Sequence, residues 1–219
     1  MDLSTLSKED IIASITPIEG WFGQQETELF YDIISNLKNK ASIVEIGSWC
    51  GRSISLITLT ARKFGNTNKI FSIDPFLTSK DDDNQKYPIF KKNLEERNIW
   101  DQITHIKEKS QIVGTNFAHK IEFIFIDGFH KYDSVKKDFE LFSKSVIENG
   151  YIAFHDVGTY YGPTKLVQDI LLSQTLKVVD FKDSTFLLQN SKPTDKDKEK
   201  NLKFLDQINS ILKTKNLTI

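Results

Sequence analysis

Ile43-Val44-Glu45-Ile46-Gly47-Ser48-Trp49-Cys50-Gly51-Arg52-Ser53 reads as a buried strand, a glycine-punctuated turn and the first turn of a helix. Ile43, Val44 and Ile46 are β-branched and suit a strand inside a parallel sheet. Gly47 and Gly51 bracket a tight turn, and from Ser53 the apolar spacing becomes helical through Ile54, Ile57 and Ala61, widened by Leu56 and Leu59. Such a unit presents backbone N–H groups and a helix N-terminus above the strand end, which makes a cradle for a cofactor.

Outward from this unit, strands and helices alternate. Lys69–Asp74, Ile103–Ile106, Ile121–Asp127 and Tyr151–Asp156 read as further strands, three of them ending in an acid. Asp133 or Ser134 is predicted to cap a helix running to about Glu148 and stopped by Asn149-Gly150; Thr164 is predicted to cap the next, to about Leu172. Lys177–Phe181 and Thr185–Gln189 flank a short turn and predict an antiparallel pair. On the N-terminal side, Ser7 starts a short helix and residues 25–39 read as another. Gly20-Trp21-Phe22-Gly23 between them is either a lid over the cofactor pocket or an apolar plug under a loop. Residues 1–40 are thus predicted as a helical cap and 41–190 as the core. Residues 191–219 complete the single domain as a charged linker and an amphipathic helix that packs within the chain or makes a dimer contact.

Composition narrows the function. The 219 residues allow one sizeable core, and a net charge of −1 gives no support to nucleic-acid binding. One cysteine excludes an internal disulfide framework, and Cys50 itself reads as a small apolar filler. With no signal-like start and no run of membrane-spanning length, the expected compartment is the cytoplasm and no membrane partner is expected. Asp81-Asp82-Asp83 in a polar loop is either solvated or a metal site.

The cradle is not built for a dinucleotide. The G-x-G-x-x-G fingerprint needs its second glycine where backbone meets pyrophosphate, and here Trp49 stands there. An NAD(P)-dependent oxidoreductase is therefore the alternative reading. The pattern Glu45-x-Gly47-x-x-x-Gly51 instead resembles motif I of the class I S-adenosylmethionine (SAM) methyltransferases. A second resemblance is carried by Asp127-Gly128-Phe129-His130-Lys131-Tyr132, then Asp138, then His155-Asp156 closing a strand, which is similar to the methyltransferase 24 type. That type includes sugar and macrolide-glycoside O-methyltransferases and cephalosporin hydroxylase-like proteins. It implies a Rossmann-like, doubly wound α/β sheet of seven strands in the order 3-2-1-4-5-7-6 with strand 7 antiparallel.

The resemblance also implies SAM as cofactor and a small hydroxylated acceptor, a sugar or glycoside. The expected cofactor residues are Glu45, Gly47, Ser48, Gly51 and Ser53 of the first unit, with Asp74, Ser110 and Asp127. Asp74, at a strand end about twenty residues beyond Gly51, is placed to accept from a ribose diol or else to cap the turn before Pro75. Ser110 sits where adenine contacts often lie in this family, although Lys109 replaces its usual acid. Methyl transfer needs an acceptor oxygen that loses its proton. Two routes suit the acceptor side: His130 or His155 acts as general base beside Asp127. In the other, Asp127, His155 and Asp156 hold a divalent metal, magnesium or one better suited to histidine, that lowers the hydroxyl pKa. The same residues in an inactive pocket would make a non-catalytic SAM-binding module.

Overall fold

The structure, a computed structural model, describes residues 5–38, 40–77 and 86–217. The acidic run 81–83 lies outside the described residues. Seven strands form one sheet in the order β3-β2-β1-β4-β5-β7-β6. β1 (Ser42–Ile46), β2 (Ile70–Ile73), β3 (Ile103–Ile106), β4 (Ile121–Ile126) and β5 (Val146–Phe154) are parallel. β7 (Thr185–Gln189) is antiparallel to β5 and to β6 (Lys177–Lys182). Both the strand order and the reversed strand are those the resemblance implied.

Alternation along the strands separates two apolar layers. Ile43, Phe123, Phe125 and Ala153 face α1 (Lys8–Ile15), α2 (Gln24–Ser35), α3 (Arg52–Lys63) and α4 (Lys86–Glu96). Val44, Ile46, Ile124, Ile126 and Phe154 face α5 (Ser110–Thr115), α6 (Tyr132–Phe142), α7 (Tyr161–Ser173) and α8 (Asp195–Thr214). β1, β2 and β4 are consequently buried on both faces. Phe30 anchors α2, its ring edge-on to Phe123 at 5.2 Å and Phe125 at 4.8 Å, and burial of such a ring is worth about 1.5–3 kcal/mol. Among the described residues no helix is long and apolar enough to cross a membrane.

The helix read over residues 25–39 ends at Ser35, and three further boundaries differ from the sequence reading. α6 ends at Phe142, not near Glu148; a 3-10 turn at Ser143–Ser145 follows and β5 begins at Val146. Val146, within the span predicted as helix, pairs with Ile121 instead. Asn149-Gly150 is a bulge inside the strand, with Asn149 at φ 64°, and the register against β4 shifts there. α7 starts at Tyr161 with Tyr160 at its N-cap, while Thr164 is buried and its Oγ1 accepts from Gly158 N at 2.7 Å. α8 absorbs part of the charged linker because Thr194 and Asp197 form a capping box.

Candidate active site

The sheet order reverses direction between β1 and β4, and a crevice at such a switch point is where doubly wound folds hold ligands. A cavity of about 1090 Å³ opens there, above the ends of β1, β2, β4 and β5.

Its floor on one side is the loop after β1. Gly47 has φ +83°, and a Cβ there would lie 2.0 Å from the Asp127 carbonyl oxygen, so only glycine lets β1 and β4 meet this closely. Gly51, at φ +90°, caps α3, and a Cβ on it would strike Leu94 at 2.6 Å. Asp74 organises the loop: Oδ2 accepts from Ser48 N at 2.7 Å and Trp49 N at 3.0 Å, and Oδ1 from Phe76 N at 2.6 Å. These bonds hold Trp49 in a left-handed conformation, φ 47°. Asp74, Ser48 and Ser53 line the cavity.

Glu45 does not line it. The side chain is wholly buried under the loop, where Ser48 Oγ donates to Oε2 at 2.5 Å and lies 2.7 Å from Ser72 Oγ. Burial outweighs the hydrogen bonds from Ser48 and Ser53 and pushes the carboxyl up to about 8. Glu45 is therefore a neutral acid at pH 7 that supports the loop from beneath, rather than an exposed carboxylate facing a ligand.

Across the cavity, Asp127, His130 and Asp156 offer ligand atoms all within 4.8 Å of one another. His130 Nε2 lies 2.9 Å from Asp156 Oδ2, and its ring stacks on Tyr160 at 4.0 Å between centroids. Asp156 is held at φ 59°, a strained conformation for a non-glycine residue at a strand end. Burial would raise its carboxyl, but hydrogen bonds from His130 and His155 outweigh it and hold the group well below the usual range.

His155 is not part of that cluster, contrary to the sequence expectation. Alternation along β5 places it with Ala153 on the α2 side of the sheet, near the rings of Phe22 and Phe125. Its Nδ1 lies 3.0 Å from Asp127 Oδ1 and its Nε2 lies 3.2 Å from Glu26 Oε1. Burial opposes the charged ring, yet Asp127, Asp156 and Glu26 together drive its pKa far up. A doubly engaged imidazolium has no lone pair for a metal or a proton. Burial in turn pushes the Asp127 carboxyl up, against the pull of His155.

Known proteins resemble the chain in both sequence and fold. The model of the methyltransferase 24 family, described as a methyltransferase domain, matches residues 44–157. The chain belongs to that family. This chain is 33% identical over 153 residues to uncharacterized protein R132 of Acanthamoeba polyphaga mimivirus, covering 65% of each. It thus spans about 65% of the length of that curated relative. Its fold is similar to the O-methyltransferase NovP, with a TM-score of 0.63 at 14% identity over 77% of this chain and 81% of that one. It is also similar to the O-methyltransferase TomG of Streptomyces achromogenes, involved in tomaymycin synthesis and solved with SAM, at 0.61 and 11% identity over 87% and 89%.

The cavity recruits one residue that sequence reading missed. Glu26 of α2 is 2% exposed and joins the N-terminal segment to the β6–β7 turn and to His155. Its signal was present: Glu26, Phe30 and Ile34 share one helical face, and that face is buried. The aromatic pair 21–22 divides the two roles offered for it. Phe22 is a buried plug against Phe30 and Phe125, while Trp21 stands 75% exposed at the cavity rim, 5.9 Å from Trp49.

Proposed function

We propose that this methyltransferase transfers a methyl group from SAM to a hydroxyl of a small acceptor, a sugar or glycoside. The observation that carries the reading is the pairing, across one cavity, of the Gly47–Gly51 loop with the Asp127–His130–Asp156 cluster. One side offers backbone and a strand-end acid for a nucleoside and amino-acid tail; the other offers a proton acceptor. Asp74 keeps lone pairs for a ribose diol beyond its three backbone bonds. When bound, SAM supplies a methyl carbon already activated by the sulfonium.

The chain's residues then have two tasks, orientation and proton removal. With Nε2–H donated to the Asp156 carboxylate, His130 keeps its lone pair on Nδ1 and takes the acceptor's hydroxyl proton there. Asp156 fixes that tautomer and stabilises the imidazolium that forms. Tyr160, stacked on the ring, limits its rotation. Asp127, held by His155, orients the acceptor through its remaining lone pairs. The cavity volume leaves room for an acceptor beside the cofactor.

A second route is favoured by the same cluster. Two carboxylates and one imidazole within 4.8 Å fit a divalent cation, and the mixed oxygen and nitrogen donors suit manganese, zinc or iron better than magnesium. Asp127, His130 and Asp156 would hold it, and the cation would lower the hydroxyl pKa. Methyl transfer from methyl-labelled SAM to a panel of sugars, glycosides and phenols, before and after chelation, tests both. Labelled product that survives chelation supports the histidine route, and product lost on chelation supports the metal. No product on any acceptor while SAM is bound would favour a non-catalytic module and sink the proposal.

A further inference from the structure

Asp138 lies on α6 behind the cavity wall and is 1% exposed. Its Oδ1 accepts two hydrogen bonds from the start of α5, from Ser110 Oγ at 2.6 Å and from Gln111 Nε2 at 2.6 Å. Ser110 and Gln111 both line the cavity, whereas Asp138 does not. A carboxylate can only accept, so it dictates which end of the Gln111 amide turns toward it. The NH2 end is used on Asp138, and the carbonyl Oε1 has no protein partner among the described residues. Ser110 likewise gives its one proton to Asp138 and retains only lone pairs. This stretch of wall therefore offers acceptors. Burial lifts the Asp138 carboxyl to about 6 against the two bonds, which leaves it ionised at neutral pH, the state the pairing requires.

We propose that Asp138 is a positioning residue that fixes the Gln111 amide with its carbonyl toward the ligand, so that this wall selects an exocyclic amino group, as on adenine, over an oxo group, as on hypoxanthine. The proposal rests on the SAM reading of the cavity. The amino group of adenine donates to Gln111 Oε1, while a 6-oxo base would set acceptor against acceptor. Discrimination by such a mismatch needs the amide locked, because a free glutamine would turn and donate instead. Lys109, just before Ser110, does not supply this lock; the acid does so from the neighbouring helix.

The test is calorimetric titration of the full chain with S-adenosylhomocysteine (SAH) and with its deaminated analogue, S-inosylhomocysteine. The wild type is expected to bind SAH roughly tenfold or more tightly than the analogue. Q111A and D138A should each lose that ratio, and D138A/Q111A should lose no more than Q111A alone, as members of one unit do. D138N, whose NH2 can turn toward a flipped Gln111 carbonyl, should lose it as well. D138L, of similar volume and without an acceptor, replaces D138A if that variant does not fold. A wild-type ratio preserved in Q111A, or in a folded D138A or D138L, overturns the proposal. Failure of the wild type to bind either ligand would instead remove the SAM reading.

Discussion

Replacing Glu26 by Gln removes a charge from the point where the N-terminal segment meets the active site. Glu26 accepts from Gly23 N, Ser184 N, Ser184 Oγ and Thr185 Oγ1 and faces His155 Nε2. Gln can keep Oε1 toward Ser184, Thr185 and His155, but its NH2 then faces the Gly23 N–H, donor against donor. The larger loss is the anion beside a buried imidazolium. Breaking a buried ion pair by removing one partner costs about 3–5 kcal/mol, and because Asp127 and Asp156 still face His155 the lower end, ~3 kcal/mol, is expected. For a chain of this length that corresponds to a fall in melting temperature of roughly 6–12 °C. Thermal unfolding and urea titration of E26Q measure it directly. A double-mutant cycle with H155Q should return a coupling of at least ~1 kcal/mol. E26Q within ~0.5 kcal/mol of wild type, or additive single effects, would refute the charge link between α2 and β5.

Three further expectations follow from the geometry. Glu45 has its folded pKa raised from 4.5 to about 8, so the folded state keeps a proton that the unfolded chain releases, and stability should fall as pH rises through that window. E45Q mimics the protonated acid and should flatten that fall in urea titrations at pH ~5 and ~9; an unchanged slope would contradict the burial argument. G47A places a Cβ 2.0 Å from Asp127 O at φ +83°, and should cost at least ~2 kcal/mol in thermal unfolding, where wild-type stability would refute the close approach. H130A should lower kcat by about 10²–10⁴-fold while SAH affinity, by calorimetry, stays near wild type; an unaffected kcat would move the proton to another group.

The sheet was legible because its strands are short apolar runs, three of them followed by acids, and the loop after β1 because Gly47 and Gly51 are backbone requirements written into sequence. Pairing over long separations was less so. Glu26 becomes a site residue only through Ser184, Thr185 and His155, all far along the chain. His155 and His130 looked interchangeable as residue types, yet strand alternation sends His155 to the α2 face and leaves His130 beside Asp156. Glu45 illustrates the same limit: its place in the motif is visible, while its burial beneath the loop depends on Ser48, Ser72 and the helices above. The α6 boundary was misread because Val146 satisfies a helical face and a strand equally well until Ile121 lies beside it.

The cavity over β1 and β4 is expected to hold an adenosyl sulfur cofactor rather than a dinucleotide. Calorimetric titration of the purified chain with SAH and, separately, NAD tests it most directly. Saturable one-site binding of SAH with no heat from NAD is the predicted result; NAD binding without SAH binding, or no binding of either, would contradict it.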